Sequence, residues 1–99
     1  MVHHIVMWNF REELDDKARK EAGERIRREL EAVGKIVPGV VSLEVIINEM
    51  DSSNKDLALF SVFETAEALS SYQVHPEHVK AGGYIKTVAC DRVCLDYEE

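Results

Sequence analysis

The segment VHHIVMWNF, residues 2–10, carries a bulky side chain at almost every position. In a strand, successive side chains point to opposite faces, so His4 and Val6 share one face while Ile5 and Met7 share the other. A strand with one face in water has apolar residues at alternate positions only. We therefore predict that this strand belongs to a sheet that is covered on both faces.

The remaining elements follow from periodicity and from breaks in the chain. Apolar side chains recur every three or four residues between Leu14 and Val37, which indicates one long amphipathic helix. A proline after His75 separates two further helical segments. The predicted elements are strands at Val2–Phe10, Val40–Asn48, Asp56–Glu64 and Cys90–Tyr97, and helices at Glu13–Ile36, at Ala66–Gln73 and from Pro76 towards Val88, with a kink or short break at Gly82-Gly83.

The order βαββαβ is typical of an α+β, ferredoxin-like fold with a four-stranded antiparallel sheet. We expect a single domain over residues 1–99, because that length allows only one. Helices usually cover one face of such a sheet, and an apolar second face marks an interface. Pairing two such faces through Ile5, Met7, Phe60 and Val62 predicts a homodimer that closes into an α/β barrel.

The composition excludes several classes of partner. The 19 acidic and 12 basic residues give a net charge of −7. This excess of acids disfavours binding to nucleic acids and to anionic membranes, both of which require a basic surface. No apolar run approaches the roughly 20 residues of a membrane helix, and no signal peptide is visible. We expect a cytoplasmic protein that binds neither nucleic acid nor membrane.

The two cysteines, Cys90 and Cys94, lie four residues apart in the predicted last strand. At roughly 3.3 Å per residue their Cα atoms would be about 13 Å apart, whereas a disulfide requires about 7 Å or less. A structural zinc site usually takes four ligands from two close pairs, and the sequence has one loose pair. We predict reduced, buried cysteines and no metal.

Three segments carry a resemblance to a known family: HIVMWNF at residues 4–10, VPGV at 37–40 and, most specifically, YQVHPEHV at 72–79. On these residues, nearly the whole chain resembles the stress-responsive A/B barrel domain family of dimeric α/β barrels. The resemblance implies a homodimer, and most members of the family have no assigned reaction. Its plant members include a polyketide cyclase that works without a cofactor, so the resemblance implies no cofactor here.

The same resemblance implies that Tyr72 and His78 are catalytic residues and that His4 faces the pocket. In such a reaction, His78 would remove a proton next to a carbonyl group while Tyr72 donates to the carbonyl oxygen, as an intramolecular aldol or Claisen condensation requires. We predict a ligand pocket between the sheet and the helices, with walls that include His4, Val6, Trp8, Ile26 and Leu30.

Several functions are compatible with this sequence. The homodimer could bind a small apolar molecule without turnover, which we favour, or it could be a cofactor-independent cyclase or lyase, or a structural or protective oligomer. The sequence leaves open whether the domain is an enzyme. His75 and His78 could also bind a metal together with His4 or Glu77, or His75 could simply cap the helix that starts at Pro76.

Overall fold

The computed structural model describes all residues from 1 to 99, which form four strands and three helices. The strands are β1 (Val2–Phe10), β2 (Val40–Ile47), β3 (Leu57–Phe63) and β4 (Ala89–Glu98), and the helices are α1 (Asp16–Ile36), α2 (Ala66–Val74) and α3 (Pro76–Val88). One antiparallel sheet contains all four strands in the order β2-β3-β1-β4. The predicted ferredoxin-like α+β fold is confirmed.

The helices cover one face of this sheet, and the strands alternate accordingly. On β1, His4 and Val6 are buried towards the helices, whereas Ile5 is only half buried on the opposite face. On β3, Phe63 is fully buried and Phe60 is exposed. The division of β1 and β3 into two faces is therefore the one that the alternation of the sequence predicts.

Helix α1 begins three residues later than predicted. The chain first makes a turn, in which the amide of Leu14 donates to the carbonyl of Arg11 over 3.1 Å. Asp15 then caps the helix, because its carboxylate accepts a hydrogen bond of 2.8 Å from the amide of Ala18. An early helical amide has no partner within the helix, so this cap fixes the start at Asp16 rather than at Glu13.

The connection from α1 to β2 requires a glycine for two reasons. Gly39 has a φ of 86°, a left-handed conformation that residues with a side chain rarely adopt. A Cβ atom at this position would also lie 2.5 Å from the Cβ of Ala68, at the start of α2. Backbone conformation and close packing therefore both exclude a side chain from this turn.

The break between α2 and α3 lies at His75, as predicted. The amide of His75 donates to the carbonyl of Tyr72 over 3.2 Å, which ends α2. Its side-chain Nδ1 accepts from the amide of Glu77 over 3.1 Å, and Pro76 occupies the first turn of α3. The interpretation of His75 as a helix cap is confirmed.

Helix α3 is continuous through Gly82-Gly83, so the short break that the glycine pair allowed does not occur. Glycine weakens an isolated helix by roughly 0.5–1 kcal/mol relative to alanine but does not prevent one. Ala81 and Ile85 flank the glycine pair and are buried in the core. Their packing holds this segment in helical form, which the propensity of the glycines alone does not reveal.

Two edge strands depart from strict alternation. In β2, Val40 pairs with Phe63 and Ser42 pairs with Val62, so Val41 is an extra residue in a bulge. Alternation counted back from the buried residues of β2 would place Val41 towards the helices, but the bulge leaves it exposed. The pairing of β4 with β1 also shifts, at the position of Asp91, whose φ is 53°.

The second face of the sheet is uncovered and rich in apolar side chains. Phe60 of β3 is 42% exposed and Leu95 of β4 is 60% exposed, although both lie within the sheet. We call this surface the outer face; from β4 it also carries Val93 and Tyr97, which were not predicted from the sequence. None of the three helices combines the length and the apolar character that crossing a membrane requires.

Candidate functional site

An open cavity of about 590 Å³ lies between the sheet and α3. Small-molecule sites in proteins typically measure roughly 300–1,000 Å³, so the cavity can hold a ligand of moderate size. The predicted pocket residues that line it are His4, Val6, Trp8, Leu30 and His78. Ile26 and Tyr72, which were also predicted to line it, are instead fully buried in the core behind its walls.

His4 projects from β1 into the wall of the cavity and is only 2% exposed. Its Nδ1 is hydrogen-bonded to the carboxylate of Asp96, the residue opposite it in β4. A carboxylate accepts hydrogen bonds and donates none, so Nδ1 carries the proton in this pair. When the ring is neutral, the Nε2 of His4 therefore keeps a free lone pair.

His78 stands in the first turn of α3, on the helical side of the same cavity. Its Nδ1 donates to the backbone carbonyl of Gln73 over 3.1 Å, because a carbonyl can only accept. The Nε2 is again the atom with the lone pair. Burial lowers the pKa of His78, the hydrogen bond to the Gln73 carbonyl opposes this effect, and the positive charge of Arg92 lowers the pKa further. His78 is accordingly neutral at pH 7, and its Nε2 lone pair is available.

Tyr72 lies behind His78 rather than beside the cavity. Its ring centroid is 4.4 Å from that of His78 and 5.1 Å from that of Phe63. The last turn of α2 directs the side chain into the core, where its hydroxyl is buried and has no hydrogen-bond partner. Burial also raises the pKa of Tyr72, so the phenol stays protonated and remains able to donate.

The sequence of this chain matches that of a known family. The family model of the Stress Responsive A/B Barrel Domain matches residues 2–99. The chain belongs to this family. No curated protein sequence matches it.

Solved structures with the fold of this A/B barrel chain include two proteins of unknown function that are described as dimeric and ferredoxin-like. One, from Bacteroides fragilis, has 28% identity and a TM-score of 0.92, and the alignment covers 99% of this chain and 95% of that one. Another, from Thermobifida fusca, has 18% identity and a TM-score of 0.84, with coverages of 99% and 90%. Both alignments cover nearly the whole chain. At 18% identity, the likeness to the second structure shows the fold alone.

A third solved structure is that of SnoaB, a cofactor-independent oxygenase from Streptomyces nogalater. It has 11% identity and a TM-score of 0.78, and the alignment covers 99% of this chain and 91% of that one. At this identity the likeness shows the fold alone, so it says nothing about which residues of the A/B barrel chain act.

Four polar residues around the cavity were not predicted from the sequence. Gln73 of α2, Lys86 of α3 and Arg92 of β4 line the cavity, and Asp96 holds His4 from behind. Alternation along β4 places Arg92 and Asp96 on one face, which is a signal that could have been used. The bulge at Asp91 hides this signal. Ala89 faces the helices, and strict alternation counted from Ala89 would place Arg92 and Asp96 on the opposite face.

Cys94 is exposed and Cys90 is only half buried, rather than both buried as predicted, because β4 is an edge strand. Its sulfur lies 3.8 Å from Nδ1 of His4 and 3.5 Å from the carboxylate of Asp96, so these three residues could hold a metal ion. A metal would require the thiolate, whereas partial burial and the Asp96 carboxylate raise the pKa of Cys94. The absence of a metal stays a prediction.

Proposed function

We propose that this protein is a homodimeric domain that binds one small, largely apolar molecule per subunit in the cavity between the sheet and α3. The observation that carries the proposal is the cavity itself, with a volume of about 590 Å³ and both apolar walls and histidines. Ligand sites typically combine apolar walls with a few polar groups that fix orientation. An interior filled by side chains would have favoured a structural or protective oligomer instead.

The histidines indicate one polar group that the ligand carries. In their neutral forms, His4 and His78 each have a lone pair on Nε2, since each Nδ1–H is bound to Asp96 or to the carbonyl of Gln73. A lone pair accepts a hydrogen bond, so a hydroxyl group on the ligand is the complementary partner. The apolar part of the ligand would contact Val6 and the other aliphatic and aromatic side chains of the walls.

The glycine pair of α3 offers a direct test of this site. Gly82 lines the cavity, and a Cβ atom there would meet nothing within 4 Å. Leucine at this position should project into open space and fill the cavity without disturbing the helix. Lys80→Leu is a matched control, because Lys80 is exposed on the same helix and does not line the cavity.

We would measure binding of 2-naphthol, an apolar molecule with one hydroxyl group, by isothermal titration calorimetry. The expected result is binding by the wild type and by Lys80→Leu, and at least tenfold weaker binding by Gly82→Leu. His78→Ala should weaken binding whereas His75→Ala should not, because His75 caps α3 outside the cavity. Equal affinity in the wild type and Gly82→Leu, or no binding at millimolar concentration, would contradict the proposal.

The outer face supports the homodimer. It exposes large apolar side chains such as Phe60 and Leu95, and such a patch usually marks an interface. The solved structures from Bacteroides fragilis and Thermobifida fusca with the same fold are described as dimeric. Ile5, Met7 and Val62 lie on the same face, so the predicted interface residues are contiguous.

The two cysteines support a reducing compartment, such as the cytoplasm. Cys90 and Cys94 are both free thiols, and Cys94 is exposed. Extracellular proteins with exposed thiols of this kind tend to form disulfides, whereas cytosolic proteins keep them reduced. The cytoplasmic location is therefore part of the proposal.

A second candidate function is acid–base turnover without a cofactor, and the state of His78 favours it. A neutral imidazole with a lowered pKa and a free Nε2 is a suitable general base. It would take a proton from the carbon next to a ligand carbonyl, and the electron pair would move to the carbonyl oxygen to form an enolate. Attack of that enolate on a second carbonyl is the aldol or Claisen step of a cyclase.

Exchange of hydrogen for deuterium tests this second candidate. In D₂O, the ketone 4-phenyl-2-butanone should exchange its α-hydrogens faster with the protein than without it, as followed by proton NMR. General-base catalysis typically contributes about 10²–10⁴-fold, so His78→Ala should lose most of the effect while His75→Ala keeps it. If the wild type does not accelerate the exchange, the second candidate function is wrong, and the protein binds its ligand without turnover.

A further inference from the structure

The charges around the cavity differ from those of the rest of the chain. The protein has 19 acidic and 12 basic residues. The cavity wall, in contrast, contains no acidic residue, and its charged members are Lys86 and Arg92, both positive. The wall therefore carries positive charge although the protein as a whole is acidic.

Both cations lack an acidic partner within the protein. None of the five ion pairs includes Lys86 or Arg92. Asp96 lies on the same strand face as Arg92, but its carboxylate is hydrogen-bonded to His4. Arg92 and His78 line the same cavity, and the positive charge of Arg92 contributes to lowering the pKa of His78.

We propose that the ligand carries an oxyanion, a carboxylate or a phosphate monoester, and that Arg92 and Lys86 bind it at one end of the cavity. The guanidinium presents two parallel N–H groups that match two oxygens of a carboxylate or phosphate. The apolar body of the ligand then contacts Val6, Trp8 and Leu30. The inference rests on the proposed binding function and adds the charge of the ligand.

Three probes with the same phenyl group and similar length test the charge. They are 4-phenylbutanoate, 3-phenylpropyl phosphate and the neutral 4-phenylbutanamide, each titrated by calorimetry at low and at high salt concentration. The carboxylate or the phosphate should bind at least tenfold more tightly than the amide, because ionic hydrogen bonds are roughly twice as strong as neutral ones. The preferred oxyanion identifies the ligand class, and higher salt should reduce the preference.

Variants of the two cations show whether the preference is local. Arg92→Gln and Lys86→Gln should each weaken binding of the oxyanion about tenfold and weaken binding of the amide much less. Arg92→Lys should lose part of the affinity, since it keeps the charge but not the paired N–H groups. Lys80→Gln makes the same change in net charge on α3 outside the cavity and should have no effect.

The outcomes separate this inference from the proposed function. If the amide binds as tightly as the oxyanions and Gly82→Leu abolishes that binding, the cavity is a ligand site but the inference is wrong. An equal loss in Lys80→Gln would also overturn it, because the preference would then come from overall charge. If neither these probes nor 2-naphthol bind, the proposed function fails together with the inference.

Discussion

At the scale of single residues, the two cavity histidines owe their proposed role to the groups that hold their Nδ1 atoms. Asp96 accepts from His4, and the carbonyl of Gln73 accepts from His78, so both rings keep Nε2 free. The sequence predicted both histidines in the pocket, from the alternation of β1 and from the motif at residues 72–79. It could not predict the partners, because Asp96 reaches His4 from β4 and the carbonyl of Gln73 reaches His78 across the break between α2 and α3.

The lowered pKa of His78 predicts how stability depends on pH. In the unfolded chain, the pKa of this ring lies near its ordinary value of about 6.5. In the folded protein the pKa is lower, mainly because of burial. Between these two values the unfolded state binds more protons, so this contribution to stability is complete above about pH 6.5 and is lost as the pH falls. The stability advantage of the wild type over His78→Gln should therefore shrink on acidification from neutral pH.

Urea denaturation at several pH values would measure that advantage. His75→Gln is the control, because it changes a neighbouring histidine for which the structure gives no cavity contact. If the difference between wild type and His78→Gln instead grew on acidification, the folded protein would favour protonated His78, and the effect assigned to burial would be wrong.

The buried hydroxyl of Tyr72 predicts a contrast between two substitutions. Tyr72→Phe removes a group that has no partner in the protein, so the free energy of unfolding should stay the same or rise. Tyr72→Ala leaves a cavity in the core and should cost about 3–5 kcal/mol. Chemical denaturation checks both values. A loss above about 1 kcal/mol in Tyr72→Phe would mean that the hydroxyl does have a partner in the native protein.

At the scale of elements, sequence periodicity correctly predicts which side chains share a face in the two inner strands, but it fails in the two edge strands. β1 and β3 lie inside the sheet, and their alternation survives because both neighbours fix their register. β2 and β4 are edge strands with one neighbour each, so each can accommodate a bulge, at Val41 and at Asp91. A bulge has no clear signature in composition, which is why alternation alone assigns Val41 to the wrong face.

Two glycines in different elements should respond in opposite ways to alanine. Gly39→Ala would strain a left-handed φ and press a Cβ against Ala68, so it should destabilise the protein by about 1–3 kcal/mol. Gly82→Ala lies in a regular helix with open space around its Cβ and should stabilise by about 0.5–1 kcal/mol. Thermal unfolding of the two variants gives the comparison, and a neutral Gly39→Ala would show that the α1–β2 turn does not require glycine.

At the scale of the whole molecule, one sheet serves two purposes. The face towards the helices holds the core and the cavity, and the outer face is left with apolar side chains from all four strands. The sequence predicted this division because β1 and β3 are apolar on both sides. The further contribution of β4 was not predicted, since its bulge obscures which of its residues share a face with Phe60.

The proposed dimer predicts that a charge on the outer face separates the subunits. Phe60→Asp would bury an unpaired carboxylate in the interface, so it should yield monomers of lower stability. Val74→Asp places the same charge on an exposed apolar residue of α2, away from the sheet, and should leave the dimer intact. Sedimentation velocity at micromolar concentration distinguishes the two species. A wild type that is monomeric and fully folded, or a dimeric Phe60→Asp, would contradict the proposal.

The central proposal is that the cavity between the sheet and α3 binds a ligand. A crystal structure of the protein with 2-naphthol tests this proposal most directly. We expect the aromatic rings among Val6, Trp8 and Leu30, with the hydroxyl within hydrogen-bonding distance of Nε2 of His78 or His4. Density for the ligand on the outer face, or a cavity closed by side chains with the ligand elsewhere, would contradict the proposed site.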